Sequence, residues 1–496
     1  MSERARFLAT LLAGAALLGG CAVHPPPTGP EIQEQTGTLP GLGLDRAWRS
    51  GEAPAESVQD DWLASFADGQ LDDLVAEAVA HNSDLRVAAV RVEQAAAYVR
   101  LAQAALRPQI GLFGTGGGNA SGGDINSALQ GAMLGFSWEP DLWGRLRYAR
   151  NAAQEDQAAV TADFEFARQS IAASVAKSWF NATLAGLEQR RTEAMVAAAA
   201  GLVSFAEERR RVGAGDEQEV AAARAQQGNL EDSLLQLRLA QAQTLRALEL
   251  LLGRYPAAEL AARAELPELP GPVPAGLPLQ VLERRPDIVA AERRVAAAFD
   301  RVGEAKAARL PRIVLNLSLS ALASDVLELK PDFENPSAGF GAKLLAPIYQ
   351  GGALVTQVEI RTLEQKAAVA DYARMALRAL GDVEQALAAA ENLAARATML
   401  ERVVADNQRA LDLASTLHRI GKGDQRAVRQ QELALESSRL ALLAVRNAQL
   451  AERVNLHLAL GGSFEAPPEE EGDGAPPAPP SGAQPGGETV GNPPGR

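Results

Sequence analysis

Histidine and cysteine, which carry much enzyme chemistry, number four and one in this chain and lack the spacing of a metal or catalytic site. The four histidines are scattered, without metal-ligand spacing: His24, His81, His418 and His457. The run Gly114–Gly118 is glycine-rich enough to cradle a phosphate, but no P-loop lysine follows it. The sequence therefore predicts that the chain is not an enzyme and that it has no metal and no cofactor.

Charged residues flank two glycine-rich turns that are near copies of each other. The run Arg211–Asp216 (RVGAGD) returns as Arg419–Asp424 (RIGKGD). Glycine adopts φ > 0 at helix ends, and aspartate caps the helix that follows, which assigns these roles to Gly213, Gly421, Asp216 and Asp424. We predict that both turns end long helices at the same tip of the molecule.

The repetition extends along most of the chain. The two turns are offset by 419 minus 211, that is 208, and Leu252 returns as Leu460 at the same offset. Pro108 returns as Pro311, at 311 minus 108, that is 203. A tandem duplication of this size predicts two similar halves, which we place at 61–263 and 264–463.

The N-terminus has the pattern of an export signal. Arg4 and Arg6 precede the apolar run Phe7–Leu18, and the only cysteine, Cys21, follows Leu18-Gly19-Gly20. This ending resembles the bacterial lipobox, so residues 1–20 are predicted to be a signal peptide and Cys21 to be lipidated. Ala22, at the next position, favours the outer membrane by the same resemblance. We predict an extended tether over 21–60 and a disordered Pro/Gly/Glu-rich tail over 464–496.

Composition favours long helices. Of the 496 residues, 47% are hydrophobic but only 4% are aromatic, and the formal net charge of −14 argues against a nucleic-acid partner. Helices are predicted over Leu71–Leu106, Asp141–Arg211, Asp287–Arg309 and Pro347–Ile420. A coiled-coil stripe with one polar position follows the first turn: Leu230, Leu234, Leu237, Gln241, Leu245, Leu248 and Leu252.

Each half also contains a predicted hairpin with one apolar and one polar face. In the second hairpin (312–346), Ile313, Leu315, Leu317 and Leu319 alternate with polar residues, and Lys330–Pro336 is rich in turn formers. The first hairpin (109–139) has the same period around a glycine-rich stretch, Gly116–Asp124. Strands of roughly 9–11 residues with this pattern are typical of membrane β-barrels. Four strands cannot close a barrel, so several chains must contribute, as a dimer or a trimer.

Several motifs resemble those of the outer-membrane efflux factors, a TolC-like family. The run Ser137–Arg145 (SWEPDLWGR) is similar to its SWELDLWGR signature, and Leu282–Ile288 (LERRPDI) to its LLxRRPDI. Pro347–Gly352 and Arg419–Asp424 resemble two further motifs in the expected order. The resemblance covers about Trp62 to Gly461 and, with the lipobox, points to the lipoprotein members that serve resistance-nodulation-division pumps.

The resemblance implies a homotrimeric α-barrel/β-barrel channel with twelve strands and long antiparallel periplasmic helices. It would be anchored in the bacterial outer membrane and would serve as the passive outer conduit of a tripartite efflux pump. Its partners would be a periplasmic adaptor and an inner-membrane pump, and the adaptor would dock at Arg211, Gly213, Asp216, Arg419, Gly421 and Asp424.

The resemblance also directs attention to a gate and to a junction. Family members often carry an inward-facing aspartate just after the second turn, where this chain has Gln430. We therefore expect a substitute gate of Asp216, Glu217, Asp424, Arg426 and Gln430. The junction of barrel and helices is assigned to Trp138, Asp141, Trp143, Gly144, Pro347, Gly351 and Gly352. The alternative to a channel is a periplasmic coiled-coil lipoprotein that acts as an adaptor or a spacer.

Overall fold

The structure, a computed structural model, describes residues 23–41, 43–50, 58–121, 124–323 and 337–466. The predicted signal peptide, Cys21, the predicted turn Lys330–Pro336 and nearly all of the predicted tail lie outside the described residues. The described helices are α1 (Gly29–Gln35), α2 (Gly69–His81), α3 (Ser83–Ala104), α4 (Arg145–Arg211), α5 (Glu217–Leu251), α6 (Pro278–Arg284), α7 (Pro286–Ala307), α8 (Ala353–Arg419) and α9 (Gln425–Ala459). The strands are β1 (Gln109–Ser121), β2 (Asp124–Trp138), β3 (Arg312–Ala323) and β4 (Ser337–Leu345).

The four strands form one antiparallel sheet in the order β1-β2-β3-β4. Its register places Phe136 opposite Leu317, which in turn lies opposite Phe340. The neighbouring row, on the other side of the sheet, is Ser137, Asn316 and Gly341. Because side chains alternate along a strand, the sheet has one apolar face and one polar face, as the sequence predicted.

The first hairpin has the predicted bounds, but its strands are longer than predicted. The stretch Gly116–Asp124 was expected to connect the strands, but β1 continues to Ser121 and β2 already begins at Asp124. Backbone pairing between Gly116 and Gln130 and beyond extends the ladder, with a register shift between Gly117 and Gly118. Glycine weakens a strand but does not prevent its backbone from pairing.

The long helices confirm the duplication. Helices α4 and α8 both have 67 residues, and α5 and α9 both have 35. At ~1.5 Å per residue, α4 and α8 each extend about 100 Å. The predicted stripe on α5 is its packed side, with Leu245, Leu248 and Leu252 buried. Its polar position, Gln241, lies against Gly186 of α4.

The predicted helix Leu71–Leu106 is two helices. Asn82 has ψ 130°, outside the helical region, and separates α2 from α3. Its side chain accepts hydrogen bonds from the N–H groups of Asp84 (2.9 Å) and Leu85 (3.1 Å). The break therefore comes from an N-cap asparagine inside an otherwise continuous helical pattern.

The N-terminal segment is packed against the body rather than being the extended tether that the sequence suggested. It contains α1, whose Ile32 is fully buried with Tyr372 of α8 and Ile288 of α7. Farther along, the Glu384 carboxylate accepts hydrogen bonds from the N–H groups of Arg49 (2.9 Å) and Ser50 (2.7 Å). We call residues 23–50 the N-terminal strap.

The largest buried cluster of the described residues joins the segments around Trp62 and Phe464 to α2, α4, α5 and α9. It includes Trp62, Phe66, Trp179 and Phe180, and Trp179 donates a hydrogen bond from Nε1 to Asp68 (3.0 Å). Phe464 belongs to the same cluster. Ordered packing therefore extends into the first residue of the predicted tail.

Helices of the second half are each held between two neighbours. Helix α7 packs against both α4 and α8. Helix α9 also packs against both, nearer the tip. Three acid–arginine pairs join α7 to α4: Arg293–Glu155 (3.4 Å), Arg294–Asp163 and Arg301–Asp156. Helix α3 packs against α4 but has no comparable partner on its other side among the described residues. None of the described helices combines the length and the apolar character that a transmembrane helix requires.

Candidate functional site

The first candidate region is the junction where the strands meet the long helices. Asp141 accepts hydrogen bonds from the N–H groups of Leu146 (3.1 Å) and Arg147 (2.9 Å), and its carboxylate pairs with the Arg147 side chain at 3.2 Å. A carboxylate in this position satisfies free N–H groups at the start of α4. The predicted Asp141 is therefore the anchor of α4 at the end of the sheet.

Two tryptophans and a glycine fix the same junction. Trp138 and Trp143 donate from Nε1 to the carbonyl oxygens of Leu106 (3.1 Å) and Pro311 (2.5 Å), which precede β1 and β3. Gly144 has φ 79°, and a Cβ there would lie 2.8 Å from Val23 of the strap. These contacts support packing, rather than cargo contact, as the role of both indoles.

The second half builds a related junction. Gly351 and Gly352 have φ 60° and 86° and lead into α8 as Gly144 leads into α4. A cavity of about 380 Å³ lies beside them, lined by residues of both halves, including Pro347, Asp141, Trp143, Arg145 and Arg312. The structure thus brings the predicted residues Asp141, Trp143 and Pro347 together at one level.

The second candidate region is the tip formed by the two turns. Gly213 and Gly421 both have φ 72°. Asp216 accepts from the N–H of Glu219 (2.9 Å), and Asp424 accepts from the N–H of Ala427 (2.8 Å). The predicted turn conformations and both aspartate caps are confirmed.

The charged residues of the tip are mostly paired. Arg211 pairs with Glu208 one turn earlier and lowers the pKa of that carboxyl. Glu217 pairs with Arg210 of the same hairpin. The described contacts of Arg211, Asp216 and Glu217 therefore stabilise a single hairpin.

Among the described residues of the tip, one ion pair joins the two hairpins. Glu219 of α5 lies 3.7 Å from Arg426 of α9 and 3.3 Å from Arg209 of α4. A cleft of about 420 Å³ beside it is lined by Asp216, Glu219, Arg426 and Gln430, among others. Three of the five predicted gate residues thus line one cleft, whereas Glu217 and Asp424 are not among its lining residues.

Sequence reasoning missed Glu219 and the close approach of α4 and α9. Glu219 is the third residue of α5, so its position in the first turn was a usable signal. At Gly201, an added Cβ would lie 2.8 Å from Nε of Arg429, which shows that α9 crosses closely there. No local pattern reveals that contact because the two residues are far apart in the chain.

Among the described residues, no group of three or more histidine, cysteine, aspartate or glutamate side chains is placed to hold a metal ion. The candidate regions contain capping groups, ion pairs and glycine turns. These groups fix the ends of the helices and line a cavity and a cleft. Among the described residues of both regions, no nucleophile is paired with a base.

Such a molecule, with one four-stranded sheet and helices about 100 Å long, belongs to the class of TolC-like channels. The family model "Outer membrane efflux protein" matches residues 74–254 and 277–462. The chain belongs to this family. It is a component of outer-membrane efflux channels and is not an enzyme.

Individual relatives match nearly the whole chain in sequence or in structure. The chain is 30% identical over 464 residues to the cation efflux system protein CusC of Escherichia coli O6:H1, covering 91% of this chain and 97% of that protein. It is also 30% identical over 477 residues to the pyoverdine export outer membrane protein OpmQ of Pseudomonas putida, covering 93% and 98%. The open state of the MtrE outer membrane channel of Neisseria gonorrhoeae has a TM-score of 0.75 at 25% identity, covering 90% and 98%.

Proposed function

We propose that three copies of this chain form a lipid-anchored outer-membrane channel that is the passive outer conduit of a tripartite efflux system. The observation that carries an assembly of several copies is that α3 has a neighbour on one side only among the described residues, and the number three follows the family. In the duplication α3 corresponds to α7, and α4 to α8. The α3–α4 contact therefore corresponds to α7–α8, and among the described residues no comparable α3–α8 contact corresponds to α7–α4.

A second copy supplies that contact if its α8 takes the place of α4. The outer face of α3 is apolar and exposed, with Val87, Val90, Tyr98 and Leu101 all more than half exposed. At the two offsets, Arg293 corresponds to Val90 and its partner Glu155 corresponds to Leu363, which is also more than half exposed. Apolar side chains in both halves of the absent contact support an interface between copies.

The sheet supports the same assembly. Its edge strands β1 and β4 are each paired on one side only. Unpaired strand edges are not tolerated in lipid, and single-chain barrels begin at about eight strands. Three sheets joined β4 to β1 give twelve strands, with the apolar face towards lipid and the polar face lining the lumen.

Cross-linking tests the trimer directly. With Cys21 as the only native cysteine, Val90→Cys combined with Leu363→Cys should cross-link between copies with a short bifunctional maleimide and give dimers and trimers on denaturing gels. The matched control, Arg293→Cys with Glu155→Cys, should cross-link within one chain and remain monomeric. Monomers from the first pair would contradict the assembly.

The strap supports a lipid anchor at Cys21. Val23 lies against Gly144 beside the ends of the strands, and the N–H of His24 donates to the hydroxyl of Tyr148 (3.1 Å). Two residues span at most about 7 Å, so Cys21 stays within reach of the predicted membrane surface. Metabolic labelling with palmitate should mark the wild-type protein, and Cys21→Ser should abolish the label.

The tip is proposed to be the docking end for a periplasmic adaptor and an inner-membrane pump. It lies about 100 Å from the strands, a distance suited to crossing the periplasm. The adaptor would contact the exposed turns around Arg211, Gly213, Arg419 and Gly421. Asp216 and Asp424 would act indirectly, because their carboxylates cap α5 and α9.

Cargo selection is proposed to reside mainly in the pump. Relatives of similar identity are named for different cargoes: cations at 30%, pyoverdine at 30% and toluene at 28%. Since proteins named for such different cargoes share one scaffold, that scaffold provides a conduit and a gate. We expect this chain to be such a conduit for small molecules.

A further inference from the structure

The polar face of the sheet carries two positive charges that no ion pair explains. Arg312 begins β3, and Lys343 lies near the end of β4, so both are at the end of the sheet next to the helices. Both side chains are exposed, and neither takes part in an ion pair within the described part of the chain. We propose that they form an anion-binding ring in the lumen, an inference that rests on the barrel proposed above.

The register places both side chains on the polar face. Lys343 lies opposite Val314, and Arg312 lies opposite Leu345. Positions 312, 314 and 316 share one face, and Asn316 belongs to the polar row with Ser137 and Gly341. The alternate positions Ile313, Leu315 and Leu317 form the apolar face.

The two cations are diagonal neighbours on adjacent strands. Such positions are about 7–8 Å apart, within the reach of long side chains. Like charges at this separation repel each other and favour a bound counter-anion. A barrel of three copies would bring three such pairs to one level of the lumen.

Nearby acids do not neutralise the pairs. Among the strand side chains that the structure describes, none is acidic. Just beyond β2, Glu139 is paired with Arg145 at 2.9 Å, and Asp141 caps α4 and pairs with Arg147. The positive charge at this level is therefore local, in a chain whose formal net charge is −14.

Among the described side chains of the strands, the positive charge lies in the second half. At the two offsets, Arg312 corresponds to Gln109 and Lys343 corresponds to Gly135, both uncharged. The ring thus has threefold rather than sixfold character. Its ligands would be phosphate or carboxylate groups of passing solutes, since Arg and Lys rings are the usual lining of anion-selective pores.

Planar-bilayer recording of the full-length protein at low ionic strength tests the proposal, because salt screens exposed charges. Tripolyphosphate added from the barrel side should bind the ring and reduce the current through the wild-type channel. The double variant Arg312→Gln with Lys343→Gln should lose this block and lower the chloride-to-potassium permeability ratio about two- to five-fold.

A matched control removes the same charge elsewhere. Arg46 and Arg49 are exposed on the N-terminal strap, and Glu384, which binds the Arg49 N–H, lies 31 residues along α8 from its start. That corresponds to about 45 Å from the sheet. Arg46→Gln with Arg49→Gln should keep the wild-type permeability ratio and the tripolyphosphate block.

The outcomes separate this inference from the channel itself. Conducting channels with the same block and the same ion preference in wild type and double variant would overturn the ring but leave the conduit standing. Wild-type protein without any conductance steps, and without tripolyphosphate binding by calorimetry in detergent, would contradict both.

Discussion

Asp300 is a residue that destabilises the α4–α7 contact in which it is buried. It is fully buried on α7 against α4, and neither carboxylate oxygen has a hydrogen-bond partner among the described residues. Burial, together with the nearby Glu155 carboxylate, raises the pKa of Asp300 to about 7, although Arg150 acts in the opposite direction. The ordinary value for an aspartate is 3.8.

The sign of the effect follows from these two values. Above the ordinary pKa the unfolded chain releases the proton while the folded chain retains it, so stability falls as pH rises towards about 7. Asp300→Asn should therefore raise the apparent melting temperature at about pH 8, and the gain should shrink towards about pH 4.

Thermal melts across pH measure this directly. Asp406→Asn is the control, because Asp406 is exposed and pairs with Arg409 one turn away at 3.0 Å. An Asp300→Asn gain of equal size at both pH values would show that titration is not its cause.

At the scale of elements, α7 approaches α4 closely because position 303 has no side chain. An added Cβ at Gly303 would lie 2.6 Å from the ring of Tyr148. Gly381, inside α8, has no atom within 4 Å of the same built position. Comparing these two helical glycines therefore distinguishes the effect of packing from the effect of helix propensity.

Alanine should therefore have opposite effects at the two sites. Gly381→Ala should stabilise by up to about 1 kcal/mol, the usual gain from replacing glycine inside a helix. Gly303→Ala should destabilise by about 1–3 kcal/mol, because overpacking against Tyr148 outweighs that gain. Melting temperatures of the two variants decide the matter, and a stabilised Gly303→Ala would refute the tight α4–α7 contact.

Most elements could be predicted because their signals are local. Alternation over Ile313–Leu319, the lack of proline over Asp141–Arg211 and the glycines of the two turns each depend on neighbouring residues. The strap could not be foreseen, because the hydrogen bonds from Arg49 and Ser50 to Glu384 join residues more than 330 positions apart. Glu219 likewise acquires its partner Arg426 only through folding.

At the scale of the whole molecule, the duplication would give each chain two unequal units of the proposed ring. Within a chain the α4–α7 contact depends on three acid–arginine pairs, whereas the corresponding contact between copies places Val90 near Leu363. At the same offsets Arg294–Asp163 corresponds to Arg91–Asp371, so the proposed contact between copies would combine an apolar pair with an acid–arginine pair. We expect such a ring to open by separation of its hairpins at the tip while it remains joined near the sheet.

At the tip, the described ion pair between the two hairpins of one chain is Glu219–Arg426. A second pair, Arg191–Glu436 at 3.4 Å, joins α4 to α9 farther from the tip. Glu219 holds Arg426 at 3.7 Å, and both side chains are about a third exposed or more. Exposed pairs contribute about 0–1 kcal/mol each, so three copies give a modest barrier that solvent and salt weaken further.

We expect Glu219→Gln to increase the open time of single channels in planar bilayers at low salt, and high salt to bring the wild type towards the variant. Glu217→Gln is the matched control, since Glu217 pairs with Arg210 within one hairpin and not across the two. An equal increase in both variants would mean that the tip responds to charge in general, and no increase in either would place the gate away from Glu219 and Arg426.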